Sequence, residues 1–578
     1  MATTTNGNPS YATIGKPHLD FFGGATRQST EEQLDTLVKA CVESDLRLSL
    51  ATFFQKRDCR EGAGERKPFI HGFKALPQSL RFRLYKVIPM YGYWDDLNSL
   101  ARVIPEDRDF IVQLFVDRII NNMVGFPHGV VDQTLEKWLP TEGQQDDKAW
   151  KAVKLITRAF KPSEHVPLKE PILKRILFLV SAVSKKIDPL TEVSYNEERD
   201  LIFRSAEKHA EILAALQKWN HVVTKALALP NNVTYLTKTG YRKWCSFMRA
   251  YTEVTEHYMT ENVSLIDYSH VPSISFNRNK GHFAEHDKER FADFTRKLKS
   301  GEKKVNVARL MPYELVDPKA DTEIRDAQWR LIVEQAREFF SELDETNPFH
   351  PKNATHVADV SGSMSSGNPC RLYVAKSLTI LGAEIGHQPC YTFSTTPKRI
   401  EPNWENFTEA LNRVNDPNGS TDFQKLLDFI HDQPERPKSI FVYTDGGFNQ
   451  MCRIEPTTAA DYISTKFGDW EVQPIFIFWN VAGNLTDFAT TIQHKNIIQV
   501  GGFSKDLYKI FTRLTSVEDL GAERFFREAV LCERYDALLM YYDMWEAEES
   551  SSDTDDVSSS EGSESSSDIE SSSDIGVW

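Results

Sequence analysis

The stretch Thr355-His356-Val357-Ala358-Asp359-Val360-Ser361-Gly362-Ser363 decides how the rest of the chain is read. Its first half has the β-branched and apolar composition of a buried strand, and its second half is a D-x-S-x-S turn. Parallel strands are covered on both faces and read as apolar runs, and open α/β sheets bind ligands outside the carboxyl ends of such strands. Asp359, Ser361 and Ser363 are therefore expected to project into a crevice at a strand end.

Downstream the same grammar repeats. Short runs at 390–394, 439–443, 473–479 and 497–500 alternate with helical patterns at 372–386, 423–431, 459–467 and 505–514. Such alternation predicts βαβ units and a largely parallel, doubly wound α/β domain over 347–545, closed by an amphipathic helix over 522–544. Two further oxygen-rich turns fall at equivalent places. Gly419-Ser420-Thr421-Asp422-Phe423 offers a hydroxyl just before a helix, with Asp422 read as its N-cap, and Val442-Tyr443 leads into Thr444-Asp445-Gly446-Gly447.

Upstream, apolar residues recur at helical spacing, as in Leu34, Leu37, Val38 and Cys41. Helices are predicted at 31–40, 46–56, 66–76, 105–123, 148–160, 172–185, 197–227, 241–258 and 288–300. The expectation is a multi-domain chain: a flexible lead over 1–14, an all-α, HEAT-like helical-repeat domain over 15–345, then the α/β domain.

Charge is unevenly spread. The formal net charge is -15, from 68 Lys and Arg against 83 Asp and Glu, and eleven of the acids lie in 546–578 among thirteen serines and no Lys or Arg. That composition predicts a disordered acidic tail, with Ser550, Ser552, Ser558, Ser565, Ser567 and Ser571 spaced for an acidophilic kinase. The remaining body is nearly neutral, so the overall acidity does not exclude anionic ligands. Residues 51–86 hold nine basic residues against three acidic, and 277–310 hold ten against five. Arg57, Arg60, Arg66, Lys67, Arg278, Lys280, Arg296, Lys297 and Lys299 are the candidate polyanion contacts, and solvated helix faces or ion pairs between helices are the bland alternative. Seven scattered cysteines without a C-x-x-C pair, no apolar leader and no run long enough for a bilayer predict an intracellular protein, cytoplasmic or nuclear, without membrane contact. Glu314, Asp317, Asp321 and Glu323 read as solvated acids without a partner base, and no nucleophile and base fall at matching places, so an enzyme is not expected.

The D-x-S-x-S turn, Thr421 and Asp445 together resemble the metal-ion-dependent adhesion site of von Willebrand factor A domains, which have a Rossmann-like fold. The resemblance implies Mg²⁺ or Mn²⁺ held directly by Ser361 and Ser363, directly or through water by Thr421, and mainly through water by Asp359 and Asp445. It also implies an open position for a carboxylate from a protein partner. A degenerate, metal-free domain of the same kind is the alternative reading.

Further phrases, among them Arg57-Asp58-Cys59-Arg60-Glu61-Gly62-Ala63-Gly64-Glu65-Arg66, Ile266-Asp267-Tyr268-Ser269-His270 and Val500-Gly501-Gly502-Phe503-Ser504, resemble an uncharacterised family. In that family a long helical region precedes a C-terminal von Willebrand A domain, and members occur in plants, fungi, bacteria and large DNA viruses. Where its phrase carries a second Gly and a Lys, this chain has Glu61 and Ala63. The layout is more distantly similar to the Ro (TROVE) ribonucleoproteins, which implies small structured RNA as a second candidate partner, beside a non-enzymatic scaffold that engages protein.

Overall fold

The computed structural model describes residues 2–3, 9–128, 132, 134–185, 217–316, 322–414, 419–446, 457–483, 487–514 and 520–555. Six strands build the C-terminal half: β1 Ala354–Asp359, β2 Cys390–Phe393, β3 Lys398–Ile400, β4 Ser439–Thr444, β5 Ile475–Asn480 and β6 Ile497–Gly501. They lie in the order β6-β5-β4-β1-β2-β3. Every pairing is parallel except β2 with β3. The sequence reading missed β3, because Lys398-Arg399-Ile400 is three residues long with two cations, the composition of a short edge strand.

Both faces of the sheet are covered, as the apolar runs require. Side chains alternate between faces along a strand. On β4, Phe441 and Tyr443 enter one core, beneath helix Arg371–Gly386, while Ile440 and Val442 enter the other, beneath helices Phe423–His431 and Ala459–Lys466.

The N-terminal region is helical. Helices Glu31–Ser44, Leu46–Arg57, Arg66–Lys74 and Lys288–Ser300 lie where the periodicity puts them. Three predicted helices are broken, the closing one over 522–544 dividing into Ala522–Val530 and Asp536–Asp555. The pattern over 148–160 divides into Gln145–Trp150 and Ala152–Ala159 at Lys151, whose φ is 62°. The pattern over 241–258 divides into Lys238–Tyr251 and Thr255–Glu261 beside Glu253, whose φ is 59°. A left-handed residue cannot continue a right-handed helix, so the apolar period runs on while the backbone turns. Of the predicted helix over 197–227, residues 197–216 lie outside the described residues.

The apolar cores do not part at residue 345. The core on one sheet face takes in Ile14, Leu19 and Phe22 from the start of the chain and Phe276, Leu298 and Trp329 from helices preceding the sheet. The helical core in turn takes in Tyr535, Leu538 and Tyr542 from the C-terminal end. Buried Lys56 ties the halves together, donating to the Phe22 carbonyl at 2.6 Å and the Gly501 carbonyl at 2.9 Å.

Two expectations at the termini need correction. The lead, read as flexible over 1–14, is seated from residue 9: Tyr11 pairs with Phe488 and Ile14 is 1% exposed. The tail, read as disordered over 546–578, begins as the end of helix Asp536–Asp555. There Glu548 pairs with Arg83, Glu549 accepts from Ser79 at 2.9 Å, and Asp543 pairs with Arg47 at 2.8 Å. Composition counts acids and serines but not the cations facing them across the fold. Ser550 is exposed on this helix. The Ser552 side chain and Ser558, Ser565, Ser567 and Ser571 lie outside the described residues. Because Arg83 and Glu548 pair at the surface, Glu548→Ala should cost no more than about 1 kcal/mol in urea unfolding. Among the described residues no helix is long and apolar enough to cross a membrane.

Candidate metal centre

Strands β1 and β4 run side by side with Ala358 opposite Tyr443, so Asp359 and Thr444-Asp445 emerge together at their carboxyl ends. The chain leaves β1 toward β2 on one side, while β4 leads to β5 and β6 on the other. That reversal of strand order opens the crevice in which doubly wound sheets bind ligands. The 419–422 loop closes in from above: Gly362 N donates to Gly419 O at 3.5 Å, and Asp422 N to Ser394 O at 3.0 Å. Gly419 has φ 137°, and a Cβ there would fall 2.1 Å from Thr395 Oγ1, so this approach requires glycine.

The five predicted residues thus converge, four of them buried and Ser363 exposed. Asp359 Oδ1 accepts from Ser361 N at 2.9 Å and Oδ2 from Thr444 Oγ1 at 2.7 Å. Ser361 Oγ and Ser363 Oγ stand 3.2 Å apart. Arg371 Nη1 lies 3.4 Å from Asp445 Oδ2. Burial, reinforced by the Asp445 charge, pushes the Asp359 carboxyl up to about 7. Two buried acids with hydroxyls around them are hard oxygen donors, the chemistry that small divalent cations favour. Among the described residues no three His, Cys, Asp or Glu side chains gather as ligands, so any metal here depends on Ser and Thr oxygens.

Thr444 and Arg371 are the contributors that the sequence reading missed. Thr444 directly precedes Asp445 and could have been taken with it; Arg371 opens the next helix, and no motif marks it. Asp422 is the N-cap expected, its Oδ1 accepting from Lys425 N at 3.1 Å. Asp422→Ala should lower stability by about 1 kcal/mol in urea unfolding.

The candidate polyanion residues do not share one face. Arg57, read as an exposed contact, is buried in an ion pair with Asp96 at 2.8 Å, which also holds Arg66 Nε at 2.7 Å. A charge run in sequence does not show which face each cation takes, and Arg57 points into the core. Arg60 donates to the carbonyls of Pro89 and Met90, and Lys67 to that of Ser29. Arg278 is exposed and Lys280 half-buried on helix Ser273–His286. On helix Lys288–Ser300, Arg296 and Lys297 both pair with Asp293, and Lys299 is half-buried. Glu314, read as solvated, is half-buried and accepts from Met311 N at 2.9 Å. Asp317 and Asp321 lie outside the described residues, as does the Glu323 side chain.

Two family models match the chain, both domains of unknown function: DUF2828 over residues 196–341 and DUF7788 over residues 353–537. The second spans all six strands and the five convergent residues. An uncharacterized protein, L728, of Acanthamoeba polyphaga mimivirus is 22% identical over 565 residues, covering 88% of this chain and 84% of the relative. The crystal structure of the Ro protein (RSR) of Deinococcus radiodurans matches at 14% identity and a TM-score of 0.37, covering 87% of this chain and 99% of that one. At that TM-score no property passes from one chain to the other.

Proposed function

We propose that the chain is a non-enzymatic binding protein whose C-terminal half works as a von Willebrand A-type domain, engaging a partner carboxylate through Mg²⁺ or Mn²⁺. The observation that carries this reading is the convergence of Asp359, Ser361, Ser363, Thr421 and Asp445 at the switch point between β1 and β4. Ser361, Ser363 and Thr421 would hold the ion, with Asp359 and Asp445 supplying the charge around it. A bound ion would supply a Lewis-acidic position for an incoming carboxylate. Asp359 orients Ser361 through the backbone N–H it accepts, and Thr444 orients Asp359 in turn. Arg371, beside Asp445, adds positive charge to the same rim.

The test is capture by the full chain with protein and RNA both identified, in Mg²⁺, in EDTA and with Ser361→Ala. A protein partner held in Mg²⁺ and released in the other two conditions is the expected result. The same partner retained in EDTA and by Ser361→Ala would refute the reading.

A further inference from the structure

A second candidate site is formed where the turn between helices Leu46–Arg57 and Arg66–Lys74 meets the 308–314 segment and the residues after β6. These elements enclose a cavity of ≈ 700 Å³, within the range of small-molecule pockets. Among the described residues that line it, seven are Lys or Arg and three are Asp or Glu.

Most of these cations are held by carboxylates. Arg27 pairs with Glu65, Arg57 with Asp96, Arg66 with Asp95 and Asp96, Arg102 with Asp146, and Lys505 with Asp506. Glu65 and Asp96 are fully buried. Each such guanidinium spends only some of its five N–H donors on its partner. Lys67 and Arg309 have no carboxylate partner among the described residues. Lys67 Nζ donates to the Ser29 carbonyl at 2.7 Å, and Arg309 Nη1 lies 2.9 Å from Cys59 Sγ. The Arg309 guanidinium also lies 5.7 Å from the centre of the Tyr93 ring, and that of Arg57 lies 5.3 Å from the same ring. Of the two remaining carboxylates on the wall, Glu31 is exposed to solvent and Glu314 is engaged by Met311 N.

Part of the cavity wall is apolar. Val103 and Ile274, 42% and 37% exposed, line it beside Ile70. A wall that carries both aliphatic side chains and fixed cations suits a ligand with an anionic end and an apolar body.

We propose that this cavity binds a small phosphorylated molecule of nucleotide size, its phosphates taken by Arg66, Lys67 and Arg309 and its base lying against Ile70, Val103 and Ile274. Arginine forks match phosphate oxygens two at a time, and buried Asp96 with half-buried Asp95 holds the Arg66 fork in place before the ligand arrives. The site is independent of the metal reading, so the experiment runs in EDTA. ATP and tripolyphosphate are titrated calorimetrically into the full chain and into Lys67→Gln, Arg309→Gln and Val103→Asp, with thermal unfolding as a check of folding. Val103 faces solvent, so its replacement probes the apolar side without touching a core. Saturable ATP binding, weakened about tenfold or more by each variant and about tenfold weaker for tripolyphosphate, is expected. No heat with ATP, equal affinity for tripolyphosphate, unchanged affinity in all three variants, or binding of structured RNA alone would overturn the proposal.

Discussion

Asp359→Asn should raise the unfolding temperature of the full chain in EDTA at pH 8, yet should lack the further rise expected of the parent protein in Mg²⁺. Burial and the neighbouring Asp445 raise this carboxyl to about 7 from an ordinary value of 3.8. A carboxyl raised on folding contributes stability that is complete below its unfolded pKa and is lost as pH climbs through its folded one. From roughly pH 4 to pH 7 the folded chain therefore holds a proton that the unfolded chain has released, and stability falls by up to about 1.4 kcal/mol per pH unit. At pH 8 the ionised Asp359 is a net cost, which the amide removes. A bound divalent cation reverses the balance, because it needs the negative charge that folding otherwise penalises. Thermal scans at pH 5 and pH 8, with EDTA and with Mg²⁺, check both halves. A destabilised Asp359→Asn in EDTA at pH 8 would show that hydrogen bonds, not charge, dominate at this position.

Asp96→Asn should cost about 3–5 kcal/mol, the penalty for leaving a buried charge without its partner. Asp96 is fully buried and receives Arg57 Nε at 2.8 Å, Arg66 Nε at 2.7 Å and the Tyr93 backbone N–H at 2.9 Å. Arg57 is 3% exposed and cannot turn to water when the charge disappears. The loss is read by urea unfolding at neutral pH; a loss below about 1 kcal/mol would place the pair with ordinary surface bridges.

The C-terminal half was legible because its signals are local. A strand buried on both faces is an apolar run wherever it occurs, and Asp359, Ser361 and Ser363 are fixed at a strand end by their own turn. What escaped depends on partners distant in sequence. Arg57 looks like a surface cation until Asp96 is found 39 residues away. The acids Asp543, Glu548 and Glu549 look solvated until Arg47, Arg83 and Ser79 are placed opposite them. The edge strand β3 is too short and too basic to carry a period, and its place is set by pairing with β2. The breaks at Lys151 and Glu253 are backbone events that the apolar spacing does not register.

Calorimetric titration of Mg²⁺ and Mn²⁺ into the full chain asks whether a divalent cation binds at the carboxyl ends of β1 and β4. A saturable heat, present in the parent protein and absent in Ser361→Ala and Asp359→Asn, is the predicted result. No heat at millimolar metal, or equal heat in the parent and both variants, would contradict it.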